Sequence, residues 1–361
     1  MNVLLLDTNV SSYPIYESLV EKGYTVFVAG SNPDDCLALS AKYYLEFDYS
    51  DFKLLIQFTK ENNIDLVLPG CNDLSYKIAA KYNQYFNCGL NLEKEDIDDL
   101  INQKHLFKEF AIKIGLNVPH KIQVWDLNEY SNYPIIIKPT DSFSGKGVTV
   151  LKEFNKRKIE EAIENAKLNS KSNTFFAEEF IDGQLFSHSA FIHGRDIKLD
   201  FVVEEYCNFY PFAVDKSWVV KNKQCPFLEV IRNEIKKIIR ALDLKQGLIH
   251  TQFIYSKGEV KILEITRRCP GDLYSKLIEY STGINYSLIY INLILNNDVD
   301  FKQPIKNINI IRETIHKKNI PHYSINLEKY SSIIEFVPIV KTGFLTKSNL
   351  SRVGIVFYIN N

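Results

Sequence analysis

Two neighbouring features of this chain carry residues that could take part in chemistry. They are a lysine at the end of an apolar segment and a loop bracketed by glycines. An Ile-Ile-Ile run precedes Lys138, and the polar loop Thr140–Gly147 follows, in which Gly145 and Gly147 flank Lys146. The backbone N–H groups of such a loop and two ammonium groups are suited to bind phosphate. A lysine at the end of a buried strand also needs an anionic partner, and a nucleotide phosphate would serve.

The spacing of this loop separates it from two common phosphate-binding motifs. The Walker A pattern GxxxxGK[ST] is absent, because Gly145-Lys146 is followed by Gly147 and a β-rich segment rather than a helix. The dinucleotide pattern GxGxxG is absent as well. Two interpretations stay open: a strand–loop–strand flap that covers phosphates, or an ordinary hairpin with an exposed loop.

A second set of chemical groups lies on a predicted β-hairpin further along the chain. Strands around His250–Tyr255 and Glu259–Ile265 are joined by a Ser-Lys-Gly turn. Because side chains alternate between the two faces of a strand, Gln252 and Glu264 could meet across the pair, with Thr266 on the face of Glu264. Their oxygen atoms suit Mg²⁺, which also binds the phosphate oxygens of ATP.

Two arginines, Arg267 and Arg268, follow this hairpin directly. Guanidinium groups beside a metal–phosphate site would stabilise the charge of a transferring phosphoryl group. The alternative is a surface salt bridge at the end of the hairpin, since most exposed ion pairs are structural or energetically neutral.

Further polar residues are weaker candidates. Asn72 and Asp73 follow a predicted strand and could contact a substrate, although a helix cap is the simpler interpretation. Lys104 and Lys108 lie on a predicted helix, where an ordinary lysine is exposed to solvent. A substrate pocket could also form from residues in the second half of the chain: His188, His193, Arg195, Glu204, Glu205, Tyr206 and Lys216.

The predicted helices and strands that position these residues form two successive structural units. Strands alternate with amphipathic helices over residues 2–73, which predicts a parallel sheet with helices on both faces. One charged helix over 93–114 would connect this α/β unit to an α+β unit of antiparallel strands. A last helical stretch is predicted over 273–296, and three short strand candidates end the chain.

Length, charge and hydropathy exclude several classes of protein. The 361 residues predict two or three domains, and the net charge of −1 argues against nucleic acid or an anionic membrane as a partner. No apolar segment approaches the roughly 20 residues that span a bilayer. The N-terminus lacks signal-peptide features, so we expect a cytoplasmic protein. The cysteines lack the spacing of a zinc site.

Taken in order, these motifs resemble those of the ATP-grasp superfamily. The resemblance rests on Lys104, Lys138, the 142–147 loop, the segment Glu178–Ile181 and the Gln252/Glu264/Arg268 hairpin. It points to carboxylate–amine ligases similar to the large subunit of carbamoyl-phosphate synthetase. The units that it implies are a pre-ATP-grasp α/β domain over 1–98, an ATP-grasp domain over 99–300 with subdomains 99–181 and 182–300, and a small β-rich C-terminal subdomain over 301–361.

The resemblance also implies a role for each residue of the site. The residues implied to bind ATP are Lys104, Lys138, Ser144, Gly145, Lys146, Gly147, Glu178, Glu179, Phe180 and Ile181. The implied metal ligands are Gln252, Glu264 and Thr266, and the implied catalytic residues are Arg268, Lys138 and Lys146. Two Mg²⁺ ions are expected, and Mn²⁺ is expected to substitute for them.

Three positions depart from the pattern of the family. Gln252 replaces the commoner glutamate, as in relatives similar to carbamoyl-phosphate synthetase, and Thr266 stands in place of the usual asparagine. The hinge is followed by Gly183-Gln184-Leu185, which lacks the frequent acid.

The function implied by the resemblance is ATP-dependent ligation of a small-molecule carboxylate to an amine, or alternatively to a thiol. An acylphosphate would be the intermediate, and ADP and phosphate would be released. The first alternative is a degenerate domain that binds ATP in a regulatory or partner-subunit role. The second is an enzyme of the same fold that releases a phosphorylated product. A homodimer is expected from the resemblance.

Overall fold

The computed structural model describes residues 1–123, 127, 132–142, 145–209, 211–221, 225–318, 326–330, 332–339 and 350–360. Within these residues three β-sheets organise the chain. The first belongs to the N-terminal unit, and the other two carry most of the residues singled out above.

The first sheet is parallel, as its alternating strands and helices predicted. Its strand order is β3-β2-β1-β4. The strands are β1 Asn2–Leu6, β2 Thr25–Gly30, β3 Tyr43–Glu46 and β4 Leu66–Pro69. The helices of this unit are a short 3-10 helix Val10–Ser12, α1 Tyr13–Glu21, α2 Cys36–Ser40, α3 Phe52–Glu61 and α4 Asp73–Phe86. The inner strand β1 is apolar and buried from Val3 to Leu6, because helices cover both faces of the sheet.

Asn72 is the N-cap of α4, which supports the simpler of its two interpretations. Its side-chain oxygen accepts a hydrogen bond from the backbone N–H of Ser75 at 2.8 Å. Its Nδ2 donates to the hydroxyl of Tyr49 at 3.1 Å. The first N–H groups of a helix have no partner within the helix, so this contact satisfies one of them.

The substitution Asn72→Ala should lower the free energy of unfolding by about 1 kcal/mol, because the capping oxygen is lost. Asn72→Ser keeps a capping oxygen and should lose much less. Urea denaturation of the two variants would measure the difference. Equal losses in both would attribute the stabilisation to the Tyr49 contact instead of the cap.

The single connecting helix predicted over 93–114 is wrong, because two helices lie there. They are α5 Glu95–Asn102 and α6 Lys104–Lys113, separated by Gln103 in an extended conformation. The break lets Ile101 and Phe107 pack in the same hydrophobic core. It also makes Lys104 the first residue of α6.

The stretch predicted as helical over 273–296 is likewise divided in two. Helix α9 runs over Tyr274–Thr282 and ends at Gly283, whose φ of +77° favours glycine. Helix α10 runs over Tyr286–Ile294, and the Asn285 side chain caps it by accepting from the N–H of Leu288 at 2.9 Å. The sequence carried both signals, a glycine and an asparagine two residues apart.

The second sheet presents Lys138 on one face and a small core on the other. Its order is β5-β8-β6-β7. The strands are β5 Lys121–Ile122, β6 Ile135–Pro139, β7 Thr149–Leu151 and β8 Phe175–Glu179, with helix α7 Lys156–Leu168 against one face. Ile135 and Ile137 pack with Ile159 of α7. Because side chains alternate along a strand, Lys138 and Glu178 share the opposite face.

The third sheet has eight strands in the order β13-β12-β9-β10-β11-β14-β16-β15. Its strands are β9 Gln184–His193, β10 Asp196–Tyr206, β11 Lys216–Val220, β12 Gly247–Ser256, β13 Glu259–Thr266, β14 Ile310–Lys318, β15 Ile333–Pro338 and β16 Leu350–Ile359. Helix α8, Leu228–Leu242, packs on one face. The two predicted hairpins are confirmed. The three C-terminal strands also exist, and they extend this same sheet through β11 and β14.

In the described ranges, no helix combines the length and hydropathy that crossing a membrane would require.

Candidate active site

A cavity of about 130 Å³ opens on the face of the eight-stranded sheet that is turned away from α8. Its lining includes all three predicted metal ligands and Arg268. Glu205, Asp272 and Arg312 also line it. Residues that are far apart in sequence therefore share one pocket.

The predicted meeting of Gln252 and Glu264 is confirmed by the register of the β12–β13 hairpin. Gln252 lies opposite Glu264, and His250 lies opposite Thr266. Amide, carboxylate and hydroxyl oxygens therefore face one cavity, which is the donor set that a hard cation such as Mg²⁺ prefers. No group of three His, Cys, Asp or Glu residues in the described ranges could hold an ion alone. Phosphate oxygens or water would have to supply the remaining ligands.

Glu205 on β10 contacts the predicted metal ligand Gln252 on β12 across the intervening strand β9. The Gln252 Nε2 donates to Glu205 Oε2 at 2.8 Å. Burial raises the pKa of Glu205 to about 7, against the opposing effect of hydrogen bonds from Ser187 and Gln252. The sequence placed Glu205 among several weak candidates and gave it no role.

Arg268 joins this hairpin to the N-terminal unit. Its Nε pairs with the carboxylate of Asp73, the first residue of α4. Burial lowers the pKa of Arg268, but the Asp73 carboxylate outweighs that effect, so the pKa lies above its ordinary value. The guanidinium is therefore a permanent positive charge at the wall of the cavity.

Arg267 points into the protein and does not line the cavity. Its NH2 lies 3.0 Å from Glu93 Oε1 and donates to the carbonyl of Lys245 at 2.7 Å. The side chain is almost completely buried. The predicted surface salt bridge is wrong for this residue, whose ion pair is buried between elements.

Lys138 shares the carboxylate of Glu178 with Lys108. Lys138 Nζ pairs with Glu178 Oε1, and Lys108 Nζ lies 2.6 Å from Glu178 Oε2. Burial raises the pKa of Glu178, but the two ammonium groups outweigh it and hold the pKa below its ordinary value. The interpretation of Lys108 as a solvent-exposed lysine is wrong, since its side chain is only 6% exposed.

Lys104, the first residue of α6, contacts the loop that follows β6. Its Nζ donates to the carbonyl of Ser142 at 2.9 Å. Burial lowers the pKa of Lys104, and the charge of Glu264 is the largest opposing influence. The ammonium group therefore lies in the field of the predicted metal ligand and of Lys138.

The glycine loop closes against the segment that follows β10. Gly145 and Gly147 have φ values of +70° and +73°, which an L side chain rarely adopts. A Cβ at Gly145 would come within 2.6 Å of the carbonyl of Pro211. Ser142 Oγ donates to the carbonyl of Lys146 at 3.2 Å and ties the loop to itself. Ser144 lies outside the described residues.

The predicted hinge begins at Glu179, the last residue of β8. Glu179 Oε1 accepts from the backbone N–H of His120 at 2.8 Å, and the N–H of Phe180 donates to the carbonyl of Pro134 at 3.0 Å. Within the described part of the chain, the N–H of Ile181 has no hydrogen-bond partner. It is therefore available to a ligand, whereas the N–H of Phe180 is engaged.

Strand β14 contributes Arg312 to the lining of the cavity, which the sequence did not indicate. Arg312 on β14 is buried, and its Nε donates to the carbonyl of Asp272 at 2.7 Å. Burial raises the pKa of Asp272, but the guanidinium groups of Arg312 and Arg352 outweigh it and hold the pKa below its ordinary value. Arg195, one of the weak candidates, lies instead at the far turn of β9–β10 and pairs with Asp243.

The family model of the ATP-grasp domain matches residues 131–276. A related sequence is the phosphoribosylamine–glycine ligase of Pyrococcus abyssi. The two sequences are 25% identical over a match of 327 residues. The match covers 79% of this chain and 72% of the relative.

Two solved structures share the fold along nearly the whole chain. The L-amino acid ligase from Bacillus licheniformis superposes with a TM-score of 0.79 at 17% identity, covering 99% of this chain and 92% of that one. The biotin carboxylase domain of 2-oxoglutarate carboxylase from Hydrogenobacter thermophilus, a dimer in complex with MgADP, ADP and bicarbonate, gives 0.80 at 13% identity, covering 99% and 86%. Residues 131–276 of this chain therefore form an ATP-grasp domain, and the fold along nearly the whole chain is shared with these two solved structures.

Proposed function

We propose that the protein joins a small carboxylate to an amine through an acylphosphate, at the cavity beside Gln252, Glu264 and Arg268. The observation that carries this proposal is the convergence of opposite charges on one space. Glu264 and Arg268 line one cavity, and the charge of Glu264 raises the pKa of the nearby Lys104 against the lowering effect of burial. Phosphoryl transfer requires positioning and charge neutralisation more than covalent catalysis, and this arrangement suits both.

The cationic side chains would bind and orient the ATP phosphates. Lys104 and Lys138 would contact phosphate oxygens from one side, and the Gly145–Gly147 turn with Lys146 would cover them. The free N–H of Ile181 would donate to the adenine edge. Glu178 is bound by two ammonium groups, so its first task is to hold Lys138, with the adenine amino group as a further proposed partner.

The proposed metal ligands are Glu264, Gln252 and Thr266. Two Mg²⁺ ions are proposed, and Mn²⁺ should replace them, because the ligands are hard oxygen donors. When bound, Mg²⁺ would neutralise negative charge on the phosphate oxygens. The protein's own contribution is to fix these oxygens on a rigid hairpin and to hold Arg268 beside them.

The proposed chemistry balances in two steps. A carboxylate oxygen attacks the γ-phosphorus of ATP, and the bond to the leaving ADP breaks. The amine nitrogen then attacks the acyl carbon, and phosphate leaves with one former carboxylate oxygen as the amine loses a proton. Arg268 would stabilise the phosphoryl charge, and the glycine loop would exclude water that could hydrolyse the acylphosphate.

Amino acids are the first carboxylates to test. The Pyrococcus relative is named for glycine and the Bacillus relative for L-amino acids. The cavity of about 130 Å³ is small, which also favours a small acid. The amine partner is open, and amino acids and phosphorylated sugar amines belong in the first panel.

The acylphosphate proposal has a direct isotopic test. With an ¹⁸O-labelled carboxylate, one ¹⁸O atom per turnover should appear in the released phosphate, detected by phosphorus NMR. Unlabelled phosphate from a reaction that forms the amide would exclude the intermediate. A labelled phosphate that stays attached to the acid product would favour an enzyme that releases a phosphorylated compound.

The degenerate ATP-binding alternative rests on Thr266 and on the missing acid after the hinge. Retention of Lys104 and Lys138, and of Glu264 and Arg268 at the cavity, supports catalysis over it. Binding of Mg-ATP without ADP formation, across a broad substrate panel, would favour the alternative.

The substitution Lys138→Met should reduce ADP formation by about 10²-fold, because a phosphate contact worth roughly 3 kcal/mol would be lost. The fold should persist, since Lys108 still pairs with Glu178. Lys121→Met is the matched control, because Lys121 lies in the same sheet and pairs with the exposed Glu109. Steady-state ADP release would decide, and equal rates in the two variants would remove Lys138 from the site.

Assembly as a homodimer is also proposed, in line with the biotin carboxylase domain that was solved as a dimer. Light scattering on the purified protein would test it. A cytoplasmic location stays a prediction.

A further inference from the structure

Gln252 presents a problem that a carboxylate ligand would not have. A glutamate offers an oxygen at either end of its carboxyl group, whereas a glutamine offers one carbonyl oxygen and one NH₂ group that cannot bind a cation. A glutamine ligand therefore works only if something selects which end of the amide faces the ion. The selecting group must lie on the other side of the amide and must accept a hydrogen bond.

Glu205 occupies that position. It accepts a hydrogen bond from Gln252 Nε2 at 2.8 Å. When Glu205 is ionised, a reversed amide would bring the Gln252 carbonyl oxygen against a carboxylate oxygen, which is unfavourable. The contact therefore turns the NH₂ group toward Glu205 and leaves Oε1 for the cavity.

Glu205 is itself held in place by its surroundings. Its side chain lies on β10, and the residue is only 5% exposed. Its backbone carbonyl accepts from Gln184 Nε2 at 3.0 Å. The strand pairing sets it opposite Leu185 on one side and Ser217 on the other. A fixed acceptor can orient the amide, whereas a mobile surface carboxylate could not.

We propose that Glu205 is the positioning residue of the metal site, which holds Gln252 with its carbonyl oxygen toward the cation. This inference rests on the proposed function, because it assumes that Gln252 binds the ion. Partners that orient metal ligands typically change metal affinity roughly 10- to 100-fold when removed. Glu205→Ala should therefore weaken Mn²⁺ binding by about that factor.

An exchange of the two side chains gives the sharpest test. Gln252→Glu alone sets two carboxylates against each other, so it should lower the Tm of the metal-free protein. The double variant Glu205→Gln/Gln252→Glu restores one amide and one carboxylate in contact. It should recover the Tm and bind Mn²⁺ within about threefold of the wild type or more tightly.

The readout is the affinity for Mn²⁺ in the presence of ADP, measured by EPR of the free ion, with Tm as the folding measure. Glu204→Ala is the matched control, because Glu204 is adjacent and contacts Tyr206 instead of Gln252. Wild-type Mn²⁺ affinity in Glu205→Ala would overturn the positioning role. If Glu205→Ala does not fold, the comparison of the double variant with Gln252→Glu decides. A double variant with a Tm no higher than that of Gln252→Glu would overturn the positioning role. Failure of the wild type to bind Mn²⁺ with ADP would overturn the proposed metal site itself.

Discussion

Replacing Glu264 by glutamine is expected to reduce ADP formation by at least about 10³-fold. The substitution removes the one carboxylate among the three proposed metal ligands and leaves two neutral groups, Gln252 and Thr266. Charge stabilisation by a bound metal is worth several kcal/mol, and each 1.36 kcal/mol is tenfold in rate. The measurement is ADP release with Mg-ATP and the productive substrate pair, together with Mn²⁺ binding by EPR.

The fold of the Glu264→Gln variant should persist, because this side chain is exposed. Surface substitutions usually change the free energy of unfolding by about 0.5 kcal/mol or less. Glu259→Gln is the matched control, since Glu259 begins the same strand and pairs with Lys261 at 3.4 Å. Equal ADP formation by Glu264→Gln and the control would contradict the assignment of the metal site.

Replacing Glu178 by glutamine should destabilise the protein by about 3–5 kcal/mol, because it leaves buried charge without compensation. Glu178 is 3% exposed and holds both Lys108 and Lys138. Adding Lys108→Met to Glu178→Gln should recover part of the loss, because it removes one of the two unpaired cations. Urea denaturation would measure both variants.

The pH dependence of stability gives a second measure of the same carboxylate. The pKa of Glu178 is lower in the folded protein than its ordinary value. Its contribution is therefore complete above the unfolded pKa of about 4.3 and is lost as the pH falls through the folded pKa. The wild type should lose this increment on acidification, and Glu178→Gln should not. Glu179→Gln, at the adjacent and more exposed position, is the control; a loss of stability there as large as in Glu178→Gln would contradict the account.

The sequence was sufficient for the parallel sheet and for the metal-ligand hairpin because their causes are local. Alternating strands and helices predicted the parallel sheet, and the two-residue period of the strands brought Gln252 opposite Glu264. The glycine loop was likewise visible, because Gly145 and Gly147 mark backbone with positive φ.

The sequence was insufficient where distant segments meet. Nothing near Lys108 shows that Glu178, some seventy residues later, lies at 2.6 Å from it. The pairing of β11 with β14, which brings Arg312 to the cavity, joins strands about ninety residues apart. The break between α5 and α6 occurs at Gln103, where no glycine or proline in the sequence predicts the end of a helix. The break is favoured because both helices pack in one hydrophobic core.

The most direct test of the central claim is ADP release with Mg-ATP against paired panels of carboxylates and amines, with mass spectrometry of the products. ADP should form only when one acid and one amine are both present. The product should be lighter than their sum by one water. ADP formation with an acid alone and a product heavier by one phosphate, or no turnover with any pair despite measurable ATP binding, would contradict the claim.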